Sequence, residues 1–114
     1  MQIIGVEPAE SPLLSQGIAG PHLIQGIGAN FIPAVLDRDI IDEIVTVKGQ
    51  EAIRIAKLFG QTEGYLVGIS SGAALSAALA IASKPPFANK NIVTILPDRG
   101  ERYMSTPLFQ FADK

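Results

Sequence analysis

The sequence contains no cysteine, so it forms no disulfide, no thiolate metal site and no thiol nucleophile. Its single histidine, His22, excludes a histidine-rich metal centre. Charge is scarce, at 18% of residues, and sums to −2 with the lysines and arginines scattered. The absence of a basic patch argues against nucleic-acid and anionic-membrane partners. No charge occurs from Tyr65 through Ser83, but Gly68-Ile69-Ser70-Ser71-Gly72 breaks that run. Its helical half falls well short of the ~20 residues a bilayer requires. Met1 to Pro8 carries no basic region and breaks too early for a secretory core, which points to the cytoplasm. Internal repeats and low-complexity tracts are absent. A length of 114 residues fits one domain or part of one, and 47% hydrophobic content suggests a surface that expects a cover.

What the chain does have is organised around Gly64 to Ala74. An apolar run ends there in a Gly/Ser turn, and a small-residue helix follows. Ser70 and Ser71 stand where that helix should begin. A serine in this place usually caps the free N–H groups of the first turn. It can equally hold a polar atom of a ligand. From Gly72 to Ala82 the helix is apolar nearly all round, which implies burial on more than one side.

Gln2 to Val6 reads as a buried strand ended by Glu7-Pro8. A strand so near Met1 gives the impression of a start in mid-domain. Ser11-Pro12 opens a short helix, Pro12 to Ile18, with Ser11 as cap. Leu13, Leu14 and Ile18 are candidates for its core face. His22 to Pro33 is neither helix nor strand. It mixes glycine with large apolar residues and is expected to pack against something. Gly26 and Gly28 would let backbone approach a ligand. His22 reads as a turn or hydrogen-bonding residue, since nothing beside it completes a catalytic relay. Asp37 should cap a single helical turn ending near Asp42, and its acidic neighbours read as solvated surface. Ile44 to Val47 is a strand. Gln50 to Phe59 is an amphipathic helix with Gly60 as its stop and a Glu51–Arg54 pair. Ile92 to Leu96 reads as a third, central strand. Pro97-Asp98-Arg99-Gly100 lies at its ligand-binding edge, and Ser105-Thr106-Pro107 precedes a last short helix. Alternating strands and helices make an α/β fold with parallel strands. Two turns, Gly68–Gly72 and Pro97–Gly100, are candidates to face a ligand, and no nucleophile, base or metal site is identifiable.

Several segments in their order carry a specific resemblance. They are Val6-Glu7-Pro8 with Ser11-Pro12, the run Gly20 to Pro33, Gly68-Ile69-Ser70-Ser71-Gly72-Ala73-Ala74, and Leu96-Pro97-Asp98-Arg99-Gly100-Glu101-Arg102-Tyr103-Met104-Ser105-Thr106. The chain resembles the C-terminal part of cysteine synthases (O-acetylserine sulfhydrylases) over nearly its whole length. The resemblance implies a partial three-layer α/β/α parallel sheet of the fold type II, tryptophan synthase β-like, class. It implies pyridoxal 5'-phosphate as cofactor and β-replacement of the acetoxy group of O-acetylserine by sulfide, giving cysteine and acetate. Ser70 matches the family's hydrogen-bond partner of the cofactor's ring nitrogen, leaving Ser71 as the cap. Gly26, Ile27 and Gly28 match the substrate-entrance loop.

The family's Schiff-base lysine, substrate-carboxylate loop and phosphate loop lie upstream of the matched part. Lys48, Lys57, Lys84, Lys90 and Lys114 match none of them. The isolated chain is therefore expected to be inactive, to bind the cofactor poorly and to be weakly stable. Its expected partner is the N-terminal half or a second subunit. Asp98-Arg99 departs from the small hydroxyl residues common there. Two alternatives stand beside this reading. One is a non-catalytic module retaining part of the surface that takes the serine acetyltransferase tail. The other is a fragment of a cystathionine β-synthase-like enzyme.

Overall fold

The computed structural model describes residues 1–24 and 26–97. Two strands, β1 (Ile4–Pro8) and β2 (Glu43–Val47), pair in parallel with Ile4 opposite Glu43 and Pro8 opposite Val47. At one end the Asp42 carboxylate accepts the Ile3 N–H at 2.7 Å, and at the other Ala9 N–H donates to the Val47 carbonyl at 2.8 Å.

Parallel strands need a crossover. Here residues 9–42 supply it with only α1 (Leu13–Gln16) and a 3-10 turn, Arg38–Ile40. Asp37 caps that turn as expected, its side chain accepting the Asp39 N–H. Helix α1 is shorter than Pro12 to Ile18, because Gly17 adopts a left-handed conformation (φ 75°) that ends it. Leu13 and Leu14 are half-buried, but Ile18 beyond that stop is exposed. Ser11 is not its cap. The Ser11 hydroxyl donates to Asn30 Oδ1 at 2.5 Å and accepts the Gly20 N–H at 3.1 Å. Glu7 does the capping from β1. Its buried carboxylate accepts Leu14 N–H and Ser15 N–H, both at 2.9 Å, and the Ser15 hydroxyl. Glu7→Gln replaces one acceptor oxygen by an NH2 group facing donors. It is expected to cost about 1–3 kcal/mol, the range for stranding buried polar groups. Thermal denaturation and amide exchange at Leu14 and Ser15 check this, and unchanged exchange there would contradict it.

Helix α2 (Gly49–Glu63) begins where the Glu10 carboxylate accepts the Gly49 N–H at 3.0 and 3.2 Å. It runs past Gly60, which is helical, and stops at Gly64 (φ 78°). The sequence suggested the wrong glycine because a stop requires positive φ, not glycine alone. Glu51 and Arg54 form the expected pair at 2.6 Å. The hydrogen bond to Arg54 holds the Glu51 carboxyl below the usual glutamate range. Its contribution is present above that range and is lost as pH falls through the lowered value. Both side chains lie in solvent, so it is small.

Helix α3 (Ile69–Ala82) starts earlier than expected, with Gly68 at the cap position. The Gly68–Gly72 stretch is therefore not a turn. Ser70 and Ser71 lie inside the first helical turn, and neither caps it. Gly72 is helical because α2 crosses against it. A Cβ there would run into the Ala52 carbonyl oxygen and stand 3.0 Å from the Ala56 Cβ. The core gathers around this crossing: Ala52, Ile53 and Ala56 of α2, Ile69, Ala73 and Ala77 of α3, with Ile24, Val47 and Val67. Phe59 stacks on Tyr65 at the far end, ring centroids 6.3 Å apart.

The third strand is not formed. Residues 92–96 pair with no strand among the described residues, and Val93 and Ile95 are 90% and 75% exposed. The apolar composition was read correctly, but a strand needs a neighbour, and the described chain places none beside it. Among the described residues no helix is long and apolar enough to cross a membrane.

Candidate functional site

The connection from Ile18 to Asp37 is long for a compact domain and carries no regular structure among the described residues. Ordered loops of that length are commonly functional. It is held at the C-terminal end of β1, the edge at which open parallel sheets bind ligands. Its clamp is His22. Ile24 N–H donates to Nδ1 at 3.1 Å, so Nδ1 is unprotonated. The proton therefore sits on Nε2, which donates to the Gly28 carbonyl at 2.7 Å. His22 is a hydrogen-bonding residue, as its sequence context indicated.

Glycine at two loop positions is required by geometry. Gly28 has φ 61°, and a Cβ there would stand 2.6 Å from Pro8 and 2.7 Å from His22 Nε2. Gly26 has φ 101°, and a Cβ there would lie 3.4 Å from Ser70 Oγ. Ser70 is 5% exposed, and its hydroxyl has no hydrogen-bond partner among the described residues. The two candidate regions, separated by more than forty residues of sequence, thus meet where Gly26 lies against the Ser70 hydroxyl. Gly26, Ile27 and Gly28 also line a cleft of about 540 Å³ beside Glu7, Ser11 and Phe31. Ser70 is not among the cleft-lining residues; Gly26, which lines the cleft, neighbours its hydroxyl.

No cluster of acidic and histidine side chains able to hold a metal occurs among the described residues. Lys84 pairs with Glu43 at 3.2 Å, just past the end of α3 opposite Ser70 and about 20 Å away along the helix. The Pro97–Gly100 turn is cut at Asp98, and Asp98-Arg99, Glu101 to Thr106 and Lys114 lie outside the described residues. Sequence reasoning missed Glu7, Glu10 and Asn30 as the polar residues that fix the rim. Each bonds to a group distant in sequence, so no local pattern marks it.

The family of pyridoxal-phosphate dependent enzymes matches residues 1–98. The chain belongs to this family. A curated relative, cysteine synthase B of Campylobacter jejuni, is 55% identical over 109 residues, covering 96% of this chain and 36% of its own length. The cysteine synthase of Entamoeba histolytica superposes with a TM-score of 0.95 at 46% identity, covering 99% of this chain and 33% of that one. The O-acetylserine dependent cystathionine β-synthase of Helicobacter pylori superposes at 0.84 with 40% identity, covering 96% and 35%. The chain thus spans about a third of the length of these pyridoxal-phosphate enzymes. Its α/β fold, with a small parallel sheet, is that of the fold type II class.

A ring nitrogen needs one hydrogen-bonding group, held still and out of water. Ser70 offers one such group: on the first turn of a packed helix and beside Gly26, its hydroxyl bonds to no described residue. That one group would suit the ring nitrogen of the family's cofactor.

Proposed function

We propose that residues 1–114 form one segment of a cysteine synthase-type enzyme, which makes L-cysteine and acetate from O-acetyl-L-serine and sulfide. Pyridoxal phosphate, when bound, supplies the electron sink for replacing a substituent on the β-carbon of an amino acid. When that group is bound, Ser70 would hold its ring nitrogen through Oγ. A neutral hydroxyl there would not require a protonated ring, where a carboxylate would favour the charged form. Gly26, Ile27 and Gly28 shape the entrance, and the His22 clamp fixes their distance from Ser70. The lysine that carries the cofactor is supplied by the rest of the polypeptide, so this segment alone neither turns over nor holds the cofactor firmly. The observation that carries the reading is the Ser70 hydroxyl, without a partner among the described residues, against Gly26.

The test is a single-chain chimera in which this sequence replaces the matched 109 residues of the Campylobacter jejuni enzyme. The chimera is expected to form cysteine and the separate chain none. Ser70→Ala in the chimera should lower kcat on the order of tenfold to a hundredfold. That corresponds to one hydrogen bond of about 1.5–3 kcal/mol to a polar or charged ring. An unchanged rate and cofactor absorbance in that variant would reject the role of Ser70. Cysteine formation by the isolated chain would reject the division of labour.

A second reading rests on the cleft rim, where Phe31 is 63% and Val35 94% exposed. Exposed apolar groups beside a cleft suit a peptide end such as the serine acetyltransferase tail. Titration of the chain with that tail peptide would separate a binding module from an inert segment.

A further inference from the structure

Residues 29–36 form the outer rim of the entrance cleft, which Asn30, Phe31, Pro33 and Leu36 line. They belong to no helix or strand. Phe31, Ile32 and Val35 are exposed, so apolar burial does little to hold the rim in place. Leu36 N–H bonds to the Pro33 carbonyl, within the segment itself. Among the described residues, a single hydrogen bond ties residues 29–36 to the rest of the fold. It runs from the Ser11 hydroxyl to Asn30 Oδ1 at 2.5 Å. Before it along the chain, the His22 clamp ends at Gly28; beyond it, Arg38 reaches the Leu14 carbonyl.

Asn30 meets two demands at once. Its backbone has φ 64°, in the left-handed region that glycine adopts freely and asparagine tolerates. Its side chain supplies an acceptor, which glycine lacks. Ser11 needs that acceptor. It is 1% exposed, it already accepts the Gly20 N–H, and its proton has no other acceptor among the described residues. A buried hydroxyl whose proton is left unpaired is costly. The bond therefore secures both the interior at Ser11 and the rim at Asn30.

We propose that Asn30 is a positioning residue for substrate entry: through Ser11 it holds the cleft rim in place, and substrate affinity depends on that bond. The link to substrate rests on the functional reading above. A rim without its tether has to be ordered again at each binding event, which weakens affinity. The inner end of the site is held separately. His22 bonds on either side of Gly26, and Ser70 belongs to α3. Release of the rim thus raises KM and spares kcat, the reverse of the effect expected from Ser70→Ala.

The test compares Asn30→Gly, Asn30→Asp and Ser11→Ala in the single-chain chimera. Asn30→Gly keeps the left-handed backbone and removes the acceptor, whereas Asn30→Asp keeps both. Asn30→Gly is expected to raise KM for O-acetylserine on the order of tenfold, with kcat within about twofold of the parent. Ser11→Ala should raise it at least as far, and the double variant no further, because both changes remove one bond. Asn30→Asp should stay near the parent. Chymotrypsin cleavage after Phe31, mapped by mass spectrometry, reads the rim without any turnover. It should be on the order of tenfold faster in Asn30→Gly than in the parent or Asn30→Asp. Circular dichroism of each variant controls for folding. Both changes must occur together. A rise in KM without faster cleavage makes Asn30 a substrate contact and overturns the proposal; faster cleavage at unchanged KM makes the bond purely structural and also overturns it. So do a fall in kcat that accompanies the rise in KM, additive effects in the double variant, and Asn30→Asp behaving as Asn30→Gly does. In all of these the parent chimera is active and the role of Ser70 stands. An inactive parent chimera removes the functional reading and this proposal with it.

Discussion

Gly72→Ala is expected to lower the unfolding midpoint of this chain sharply, although alanine is the better helix former. In an open helix the exchange gains about 0.5–1 kcal/mol. At position 72 the new methyl group would run into the Ala52 carbonyl of α2 and press on the Ala56 Cβ. Neither obstacle is the end of a flexible side chain, so the helices must separate. Overpacking of this kind costs typically about 1–3 kcal/mol, and more where backbone has to move. A domain's total stability is only about 5–15 kcal/mol, and a segment with an unfilled sheet edge starts low. Gly60→Ala is the matched control. Gly60 is also helical, but its nearest obstacle would be the Tyr65 carbonyl at 3.5 Å, an ordinary contact. Thermal scans by circular dichroism should show Gly60→Ala at or above the parent midpoint and Gly72→Ala far below it. Equal midpoints would mean that α2 and α3 do not cross as closely as described.

Gly28→Ala should collapse the candidate site more than the fold. A side chain at φ 61° costs about 1–2 kcal/mol, and the contacts with Pro8 and His22 add about as much again. The midpoint should fall on the order of 10 °C. The diagnostic readout is local. Displacing the His22 ring breaks its bond to the Gly28 carbonyl and frees the Ile24 N–H from Nδ1. Amide exchange at Ile24 should therefore accelerate more than exchange at Ala52 or Ala73 in the core. If all three accelerate together, the clamp has no identity apart from the fold.

Helix α2 and strands β1 and β2 were legible because their signals are local: period-3.6 apolar spacing and β-branched runs. The bounds of β1 were not: Glu7 and Pro8, read as its end, are its last paired residues, because Pro8 lies at the strand terminus where a missing donor is tolerated. The end of α2 was misplaced because glycine's conformation, not its presence, ends a helix. The start of α3 was misplaced for a related reason. Gly72 looked like a turn residue, yet its smallness serves the contact with Ala52. The 92–96 strand shows another limit. Apolar composition reports that a segment belongs in a sheet, but pairing requires a neighbour. At the candidate site, Ser70 and Gly26–Gly28 were singled out by a motif resemblance. Their proximity was not legible, since residues 26 and 70 are brought together by the packing of the glycine loop against the first turn of α3. The carboxylates that secure the rim were invisible for the same reason.

Glu7 and Glu10 stand three residues apart at the end of β1, one fastened to the start of α1 and the other to the start of α2. Helix α2 in turn meets α3 at Ala52 and Gly72, two residues beyond Ser70. The entrance cleft and the buried hydroxyl are therefore surveyed from one benchmark, the 7–10 turn. The exposed tip around Phe31 and Val35 can change in length or sequence while the distance from Gly26 to Ser70 stays constant. Under the proposed function, a scaffold built in this way would separate the choice of substrate from the alignment of the ring.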